Sequence, residues 1–398
     1  MIRSVFRYLK FFTVTTLAKP ERKLLWRDLN SWFFSDSWKE KEIIRDDRID
    51  GLHAAALWLL NNQQFNSDKG FSTFYIVGGH TGSYPETSGY IIDSLFQYAD
   101  QFRKKEIIPQ LIECADWLLS IQKKSGGWQS GYVHENKPEI VFNTGQVIRG
   151  LMKAYHVTAE KKYLEACIKA AEWLCEIQEP EGYWEKNAFM GVHRVYDSYV
   201  SAPLLQVWKE TGTEKFKIAA EKNIKWILKE KIHPNGWPED CDNTIKHNDR
   251  PILHTIAYTI DGIIECGMLL EDKKYPALIK RSADVLLDLF MEKGYLWGRY
   301  TKNWTPSEPL ICTGGAQMSI VWLKLYALYK DEKYLAAARK MNNLLVYIQS
   351  GTLEGRKEIN GALQGSFPLW GRYEPFAFPN WATKYLLDAL MIETEYRS

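Results

Sequence analysis

The feature that most restricts what this chain can become is a helix that recurs and stops each time in an aromatic turn. "WLLSIQKKSGGW" (117–128), "WLCEIQEPEGYW" (173–184) and "WILKEKIHPNGW" (226–237) each carry apolar residues at helical spacing into a Gly-bearing turn closed by Trp. A unit of this kind cannot cover its own hydrophobic face, so the copies must stack on one another. From residue 46 onward two helix types alternate. The first set spans 49–63, 104–124, 160–179, 213–231, 273–293 and 331–350, with related openings such as "EKKYLEAC", "TEKFKIAA" and "DEKYLAAA". The second spans 86–100, 143–156, 197–211, 254–270, 313–329 and 380–394 and opens on small residues, as in "PETSGYIIDSLF" and "NTGQVIRGLM".

Links from the second type to the first are short and polar ("HVTAEK", "ETGTE", "LEDKK", "YKDE"), and the reverse links are long and aromatic. Antiparallel hairpins with short turns on one side leave every long loop on the other. Closing six such hairpins into a ring buries every hydrophobic face. The expected fold is therefore all-α: an (α/α)6 toroid over residues 46–398, the first set outside and the second lining the centre. An N-terminal helical extension over residues 1–45 precedes it. In the repeated turn Gly supplies a positive-φ C-cap, and Trp either packs between hairpins or faces the central cavity.

Charge and cysteine usage narrow the function classes. Lys and Arg number 51 against 49 Asp and Glu, a formal charge of +2, so no basic field dominates and nucleic acid is not the expected partner. The six cysteines form no CxxC pair and read as reduced thiols of a cytoplasmic protein. No run reaches the roughly 18 apolar residues of a membrane span. In "MIRSVFRYLKFFTVTTLAK" the charges of Arg3, Arg7 and Lys10 interrupt the apolar residues, which leaves no signal-peptide core. Residues 1–18 read either as a basic amphipathic helix on a membrane surface, which would place the protein at the inner membrane, or as a helix packed on the main domain.

The toroid geometry points to a site. All inner helices would start at the mouth that bears the long loops, so their positive ends converge and favour an anionic substrate or transition state. Inner-helix starts supply Tyr84, Glu86, Asn143, Gln146, Tyr196 and Asp197, then His254, Tyr258, Gln317 and Trp381. The loops supply Trp128, Trp184, His193, Arg194, Trp237 and Arg250, then Trp297, Arg299, Trp304 and Trp370. Aromatic faces beside carboxylates and basic groups suit sugar rings, so an oligosaccharide or polysaccharide is the expected partner. Glu86 and Asp197 are the candidate general acid and base, although acidic residues also suit helix starts as caps. His254 and Tyr258, one helical turn apart, are candidates for proton transfer. Arg194, Arg250 or Arg299 would neutralise a substrate carboxylate. The dense stretch "PEDCDNTIKHNDR" (238–250) matches no zinc-ligand spacing, so neither metal nor cofactor is expected.

Two resemblances follow from these residues. The "WLLSIQKKSGGW" repeats resemble the QW motif of squalene-hopene-type terpenoid cyclases, and "DCDNTI" (240–245) is similar to their DxDDTA proton donor, with Asn243 in place of an Asp. Across residues 46–395 the six hairpins resemble the six-hairpin glycosidase group of unsaturated uronyl hydrolases, toroid-domain polysaccharide lyases and sugar epimerases. This second resemblance implies an enzyme that acts on an acidic, uronate-containing glycan by hydrolysis, elimination or epimerisation, in bacterial surface-polysaccharide metabolism. The first implies a terpenoid-cyclase or prenyltransferase-like enzyme with an apolar cavity and Asp240 or Asp242 as proton donor. A non-catalytic glycan-binding toroid is the third reading.

Overall fold

In the computed structural model, residues 13, 21–39, 41–353 and 355–396 are described; the amphipathic helix expected over 1–18 lies outside the described residues, apart from the single residue Thr13. Helix α1 (Arg22–Phe33) precedes the toroid. The outer helices are α2 (Arg45–Gln63), α4 (Ile108–Ser120), α6 (Lys161–Glu176), α8 (Glu214–Glu230), α10 (Lys274–Lys293) and α12 (Glu332–Ser350). The inner helices are α3 (Pro85–Gln101), α5 (Val141–Thr158), α7 (Ser198–Thr211), α9 (Leu253–Leu269), α11 (Cys312–Tyr329) and α13 (Asn380–Glu395). Each inner helix packs on the next, and α13 packs back on α3, so the inner ring is closed. The fold is the (α/α)6 toroid.

The recurring turn explains how the ring is fastened. The side-chain amide of Gln122 donates to Gly126 O in its own turn (2.8 Å) and to Ala166 O on the next outer helix (2.9 Å). Gln178 repeats this with Gly182 O and Ala219 O, both at 2.9 Å. Gln349, at the end of the last outer helix, donates to Gly361 O (2.8 Å) and to Gly51 O of the first (2.9 Å), which shuts the ring. The turn glycine must be glycine for two reasons. Gly126 and Gly361 have φ of +114° and +88°, and a Cβ there would stand 2.4 Å from Lys169 O and 2.3 Å from Ala54 O. Two of the repeated Trp residues finish the helix they follow. Trp128 Nε1 donates to Leu118 O and Trp184 Nε1 to Leu174 O, both at 2.8 Å, satisfying carbonyls that a helix C-terminus leaves open.

The small residues that open the inner helices also have a structural use. The hydroxyls of Ser88, Thr144 and Thr383 accept the backbone N–H of Phe71, Trp128 and Leu363, tying each long loop down on the helix it leads into. Short strands knit the loops at the mouth: β1 (Phe74–Tyr75), β2 (Gly79–His80), β3 (Arg299–Tyr300), β4 (Pro306–Ser307), β5 (Leu310–Ile311), β6 (Ser366–Phe367) and β7 (Ala377–Phe378). Strand β1 pairs antiparallel with both β2 and β7, with Phe74 opposite His80 and Phe378, so the first and last long loops of the ring meet.

Helix α1 is strapped to the same side. It buries Leu24, Leu25, Asp28 and Ser31. Arg27 Nη1 donates to Ile348 O at 2.9 Å, and Asp28 Oδ2 accepts from Gln364 Nε2 (2.7 Å) and Leu369 N (2.8 Å). Among the described residues no helix is long and apolar enough to cross a membrane.

Candidate active site

Four of the six inner helices deliver side chains from their first turns to one cavity of about 320 Å3 at the mouth, and a fifth is represented by the residue just before it. From α3 and the residue before it come Tyr84, Glu86, Thr87 and Tyr90. Helix α5 contributes Phe142 and Asn143, Tyr196 stands just ahead of α7, and α9 brings His254, Thr255 and Tyr258. Asn380 and Trp381 open α13. The loops add Tyr75 and Thr81 from the β1–β2 region, Tyr132, Asn243, Tyr373 and Glu374. Most of the wall is therefore aromatic, interrupted by hydroxyls, amides and a few titratable groups.

Glu86 is the deep carboxyl of this cavity. It keeps part of its surface open onto the space it lines, and desolvation by the packing around it pushes its carboxyl up to about 8. At neutral pH it is mostly the protonated acid, a form able to donate a proton. His254 is pushed the other way, down to about 4, because burial disfavours its cation. Its Nδ1 lies 2.7 Å from Gln317 Oε1; with that oxygen as acceptor, Nδ1 carries the proton and Nε2 keeps its lone pair. Tyr258 is held neutral by burial first and accepts a hydrogen bond from the Tyr385 hydroxyl at 3.1 Å. Asn143 Nδ2 is fixed by Gln129 O (2.9 Å), Trp381 Nε1 donates to the Tyr373 hydroxyl (3.1 Å), and the Tyr75 hydroxyl donates to Glu374.

The cavity has a closed floor. Tyr90 and Tyr258 line it from above, and their rings meet Tyr385 (5.7 and 5.9 Å between centroids) while Tyr258 also meets Tyr199 (4.7 Å). Tyr199 faces a second cavity of about 470 Å3 at the opposite end of the ring. That end is filled by charge pairs: Arg149 with Glu265 (2.6 Å), Lys324 with Asp261 (2.6 Å) and Lys384 with Asp388 (2.7 Å). An aromatic partition thus makes the mouth-side cavity blind.

Several expected site residues stand elsewhere, each for a visible reason. Trp128 and Trp184 are buried in the turns described above, and Trp237 and Trp304 donate to Tyr300 O (3.2 Å) and Asn235 O (3.1 Å) within the loops. Trp297 packs on Tyr295, and Trp370 stacks on Phe33. Gln146 lies one turn below the cavity, its Nε2 turned to Phe142 O. Arg299 is held by Asp242 (2.8 Å) and Glu308 (3.2 Å), and Arg250 supplies a carbonyl to Arg299 and lies beside Asp249. His193 is bound to Asp240 at 3.0 Å, which Lys231 also holds at 2.7 Å. Arg194 and Asp197 flank Tyr196 in the chain but are 1% and 2% exposed, and neither reaches the cavity. Burial pushes the Asp197 carboxyl up to about 8 against the opposing pull of Arg194. Among the described residues no Lys or Arg side chain lines the cavity, so the expected cationic partner for a substrate carboxylate is not found there.

Sequence reasoning did not name Thr73, Tyr75, Thr81, Tyr90 or Phe142, nor Phe189, Glu374 or Asn380, and it named Asn243 only as a departure from the cyclase-like motif, not as a lining residue. Tyr90 was findable, because it lies four residues after Glu86 on the same helical face. Asp240 and Asp242, the alternative proton donors of the cyclase reading, do not line the cavity. Both are consumed by the ion pairs above, and Asp242 also accepts from Thr244 N and Ile252 N.

No family model matches the chain. Its overall structure is similar to that of an unsaturated glucuronyl hydrolase specific for heparin, with a TM-score of 0.69 and 16% identity over 88% of this chain and 97% of that one. An unsaturated glucuronyl hydrolase from Bacillus sp. GL1, responsible for glycosaminoglycan degradation, aligns with a TM-score of 0.66 and 14% identity over 87% and 96%. An α-amylase from Clostridium perfringens aligns at 0.64 and 12% over 89% and 100%. At these identities the likeness is one of fold: this chain has the (α/α)6 toroid that these proteins share.

Proposed function

We propose that the protein is an exo-acting glycoside hydrolase that removes a terminal uronate-type sugar from an oligosaccharide, with Glu86 as proton donor. The observation that carries this reading is a single raised carboxyl, Glu86, deep in a blind aromatic pocket built on converging helix starts. A closed pocket of this volume takes the end of a chain rather than its middle. Trp381, Tyr196 and Tyr132 offer faces for sugar C–H groups, and Asn143, Thr87 and Tyr84 offer polar partners for hydroxyls. Similarity to glucuronyl hydrolases and to an α-amylase supports cleavage of a glycosidic bond, although fold alone does not fix chemistry.

In the proposed step the Glu86 acid gives its proton to the reacting sugar, to the glycosidic oxygen of an ordinary acetal or to the alkene carbon of an unsaturated uronyl ring. In the acetal the protonated glycosidic C–O bond breaks and the aglycone leaves as an alcohol, whereas in the unsaturated ring the ring oxygen stabilises the cation formed beside the protonated carbon. Water adds to the resulting oxocarbenium centre and passes a proton to His254 Nε2 or to solvent. In the unsaturated case the hemiketal so formed opens to a ketone, and the hemiacetal left at the anomeric carbon collapses and releases the aglycone alcohol. Glu86 is then reprotonated. Elimination and epimerisation require a base that abstracts a proton from carbon. Tyr258 as a neutral phenol and His254 as a weakly basic imidazole suit that task poorly. The mixed wall of hydroxyls, amides and His254 does not suit a terpenoid cyclase.

The proposal includes a cytoplasmic place beside a membrane, in surface-polysaccharide metabolism, suggested by the basic sequence of residues 1–18. Incubation with uronate-terminated disaccharides, saturated and unsaturated, followed by mass spectrometry tests the reaction. Free terminal sugar with one water added supports hydrolysis. Binding without product would point to a non-catalytic toroid, and an unsaturated product from a saturated substrate to elimination.

A further inference from the structure

One face of α1 is unlike the rest of the surface. Leu24, Leu25, Asp28 and Ser31 turn inward, and the opposite stripe carries Lys23, Trp26, Asn30, Phe33 and Phe34. Trp26 is 64% exposed, Phe33 62% and Phe34 76%, three large apolar rings held in water by a helix whose other side is fastened down. Solvent exposure of this size on adjacent aromatic residues marks an interaction site.

The charge around the stripe says what it meets. Residues 1–23 contain six Lys or Arg and one acidic residue, Glu21, while the whole chain is only +2, so the remainder is net negative. Glu21 is itself buried and bound to Arg356 at 2.7 Å. Arg22 and Lys23 stand exposed at the start of α1, and the sequence that leads into it carries four more cations. Cations joined in sequence to exposed Trp and Phe, in a chain whose remainder is slightly net negative, match the chemistry of an anionic lipid surface, where aromatic rings enter the headgroup layer and each cation near the surface adds attraction. A second copy of the chain meeting this face would bring the Arg22 and Lys23 cations of the two copies together, a contact opposed by like charge.

We infer that the Trp26–Phe33–Phe34 face of α1 docks on an anionic membrane surface and sets the mouth of the toroid beside it. This extends the membrane contact proposed above to residues with described positions, and it stands whether or not the proposed reaction is right. The link to the mouth is structural. Phe33 stacks on Trp370 with 8° between the rings, and Trp370 belongs to the loop whose Tyr373 and Glu374 line the cavity. A glycan carried on a lipid would therefore reach the cavity from the surface on which α1 lies.

The test is co-sedimentation of the full chain with phosphatidylcholine vesicles, with and without phosphatidylglycerol. Binding to the anionic vesicles, weakened by salt and at least about tenfold stronger than to phosphatidylcholine alone, is expected. The combined substitutions Trp26→Ser, Phe33→Ser and Phe34→Ser should lower it by about tenfold or more, with the unfolding midpoint unchanged. Lys23→Glu, which leaves the apolar rings in place, should lower it several-fold. No binding by the wild type, or equal binding by the triple variant, overturns the inference. So does a wild-type dimer in light scattering that the triple variant dissolves, since the face would then meet a second copy. Vesicle binding is read without substrate, so failure here is separate from failure of the proposed reaction.

Discussion

Replacing Glu86 with Gln tests the proposed chemistry most directly. The substitution keeps the shape and hydrogen-bonding capacity of the protonated acid but removes its proton. With the carboxyl near 8, about nine-tenths of the molecules hold the acid at pH 7, against about one in three hundred for an unshifted carboxyl near 4.5. General acid catalysis contributes roughly 10^2 to 10^4 in rate, so kcat for Glu86→Gln should fall by that factor. The wild-type rate should be flat through neutral pH and fall about tenfold per unit above pH 8 as the acid ionises. A second fall below about pH 4 is expected as His254 becomes charged.

Initial rates on an unsaturated uronyl disaccharide, followed through loss of the conjugated alkene's ultraviolet absorbance from pH 3.5 to about 10, check both limbs. Circular dichroism across the same range separates a loss of rate from a loss of fold. Two outcomes refute the reasoning. One is a Glu86→Gln enzyme with more than about a tenth of wild-type kcat. The other is an alkaline limb that persists unchanged in that variant, which would assign it to a different group.

Three further outcomes follow from the structure. Because burial raises the Asp197 carboxyl to about 8, the native state holds a proton that the unfolded chain loses near pH 4, so stability should fall by about 1.4 kcal/mol per pH unit between these values. Asp197→Asn should remove that part of the slope in urea titrations at pH 5 and 8; an unchanged slope sinks the assignment. Gln349→Ala strands the carbonyls of Gly51 and Gly361 at the ring closure and should cost about 2–5 kcal/mol, read from the denaturation midpoint. Trp381→Ala should raise KM without lowering the midpoint much, whereas Trp128→Phe should lower the midpoint and leave kcat/KM intact, since only Trp381 faces the cavity.

The fold was legible because it is written redundantly. Six alternating helix pairs with short links on one side leave few ways to bury every face, and both helix sets lie within a few residues of their expected limits. One apparent exception, the outer helix expected over 104–124, is regular only from Ile108 to Ser120 because Gln122 already belongs to the turn and is turned toward the next hairpin. Helix starts were the readable part of the site: Tyr84, Glu86, Asn143, Tyr196, His254, Tyr258 and Trp381 all line the cavity. Loop residues were not readable. A Trp after Gly looks the same in sequence whether it seals a helix end, as Trp128 does, or meets a ligand. Arg299 and His193 look like free polar groups until Asp242 and Asp240, brought beside them by the fold, engage them at 2.8 and 3.0 Å. Tyr75 and Glu374 lie 299 residues apart in the chain and meet through the β1–β7 pairing, a contact with no local signal.

With no Lys or Arg among the described residues that line the cavity, the proposed uronate would be held by neutral donors and by the partial positive charge of the helix starts. This makes the protonation of Glu86 serve two ends. An ionised Glu86 would repel a substrate carboxylate in the same pocket, whereas the acid form accepts it and then supplies the proton. By the same interaction, a bound anion disfavours ionisation of Glu86 and moves its pKa further up. The alkaline limb of kcat, which reports the complex, should therefore lie at higher pH than that of kcat/KM, which reports the free enzyme. With the corresponding substrate whose carboxylate is replaced by a neutral amide, the two limbs should coincide. A separation that survives removal of the substrate charge would mean that closure of the pocket, rather than the uronate, raises the Glu86 pKa.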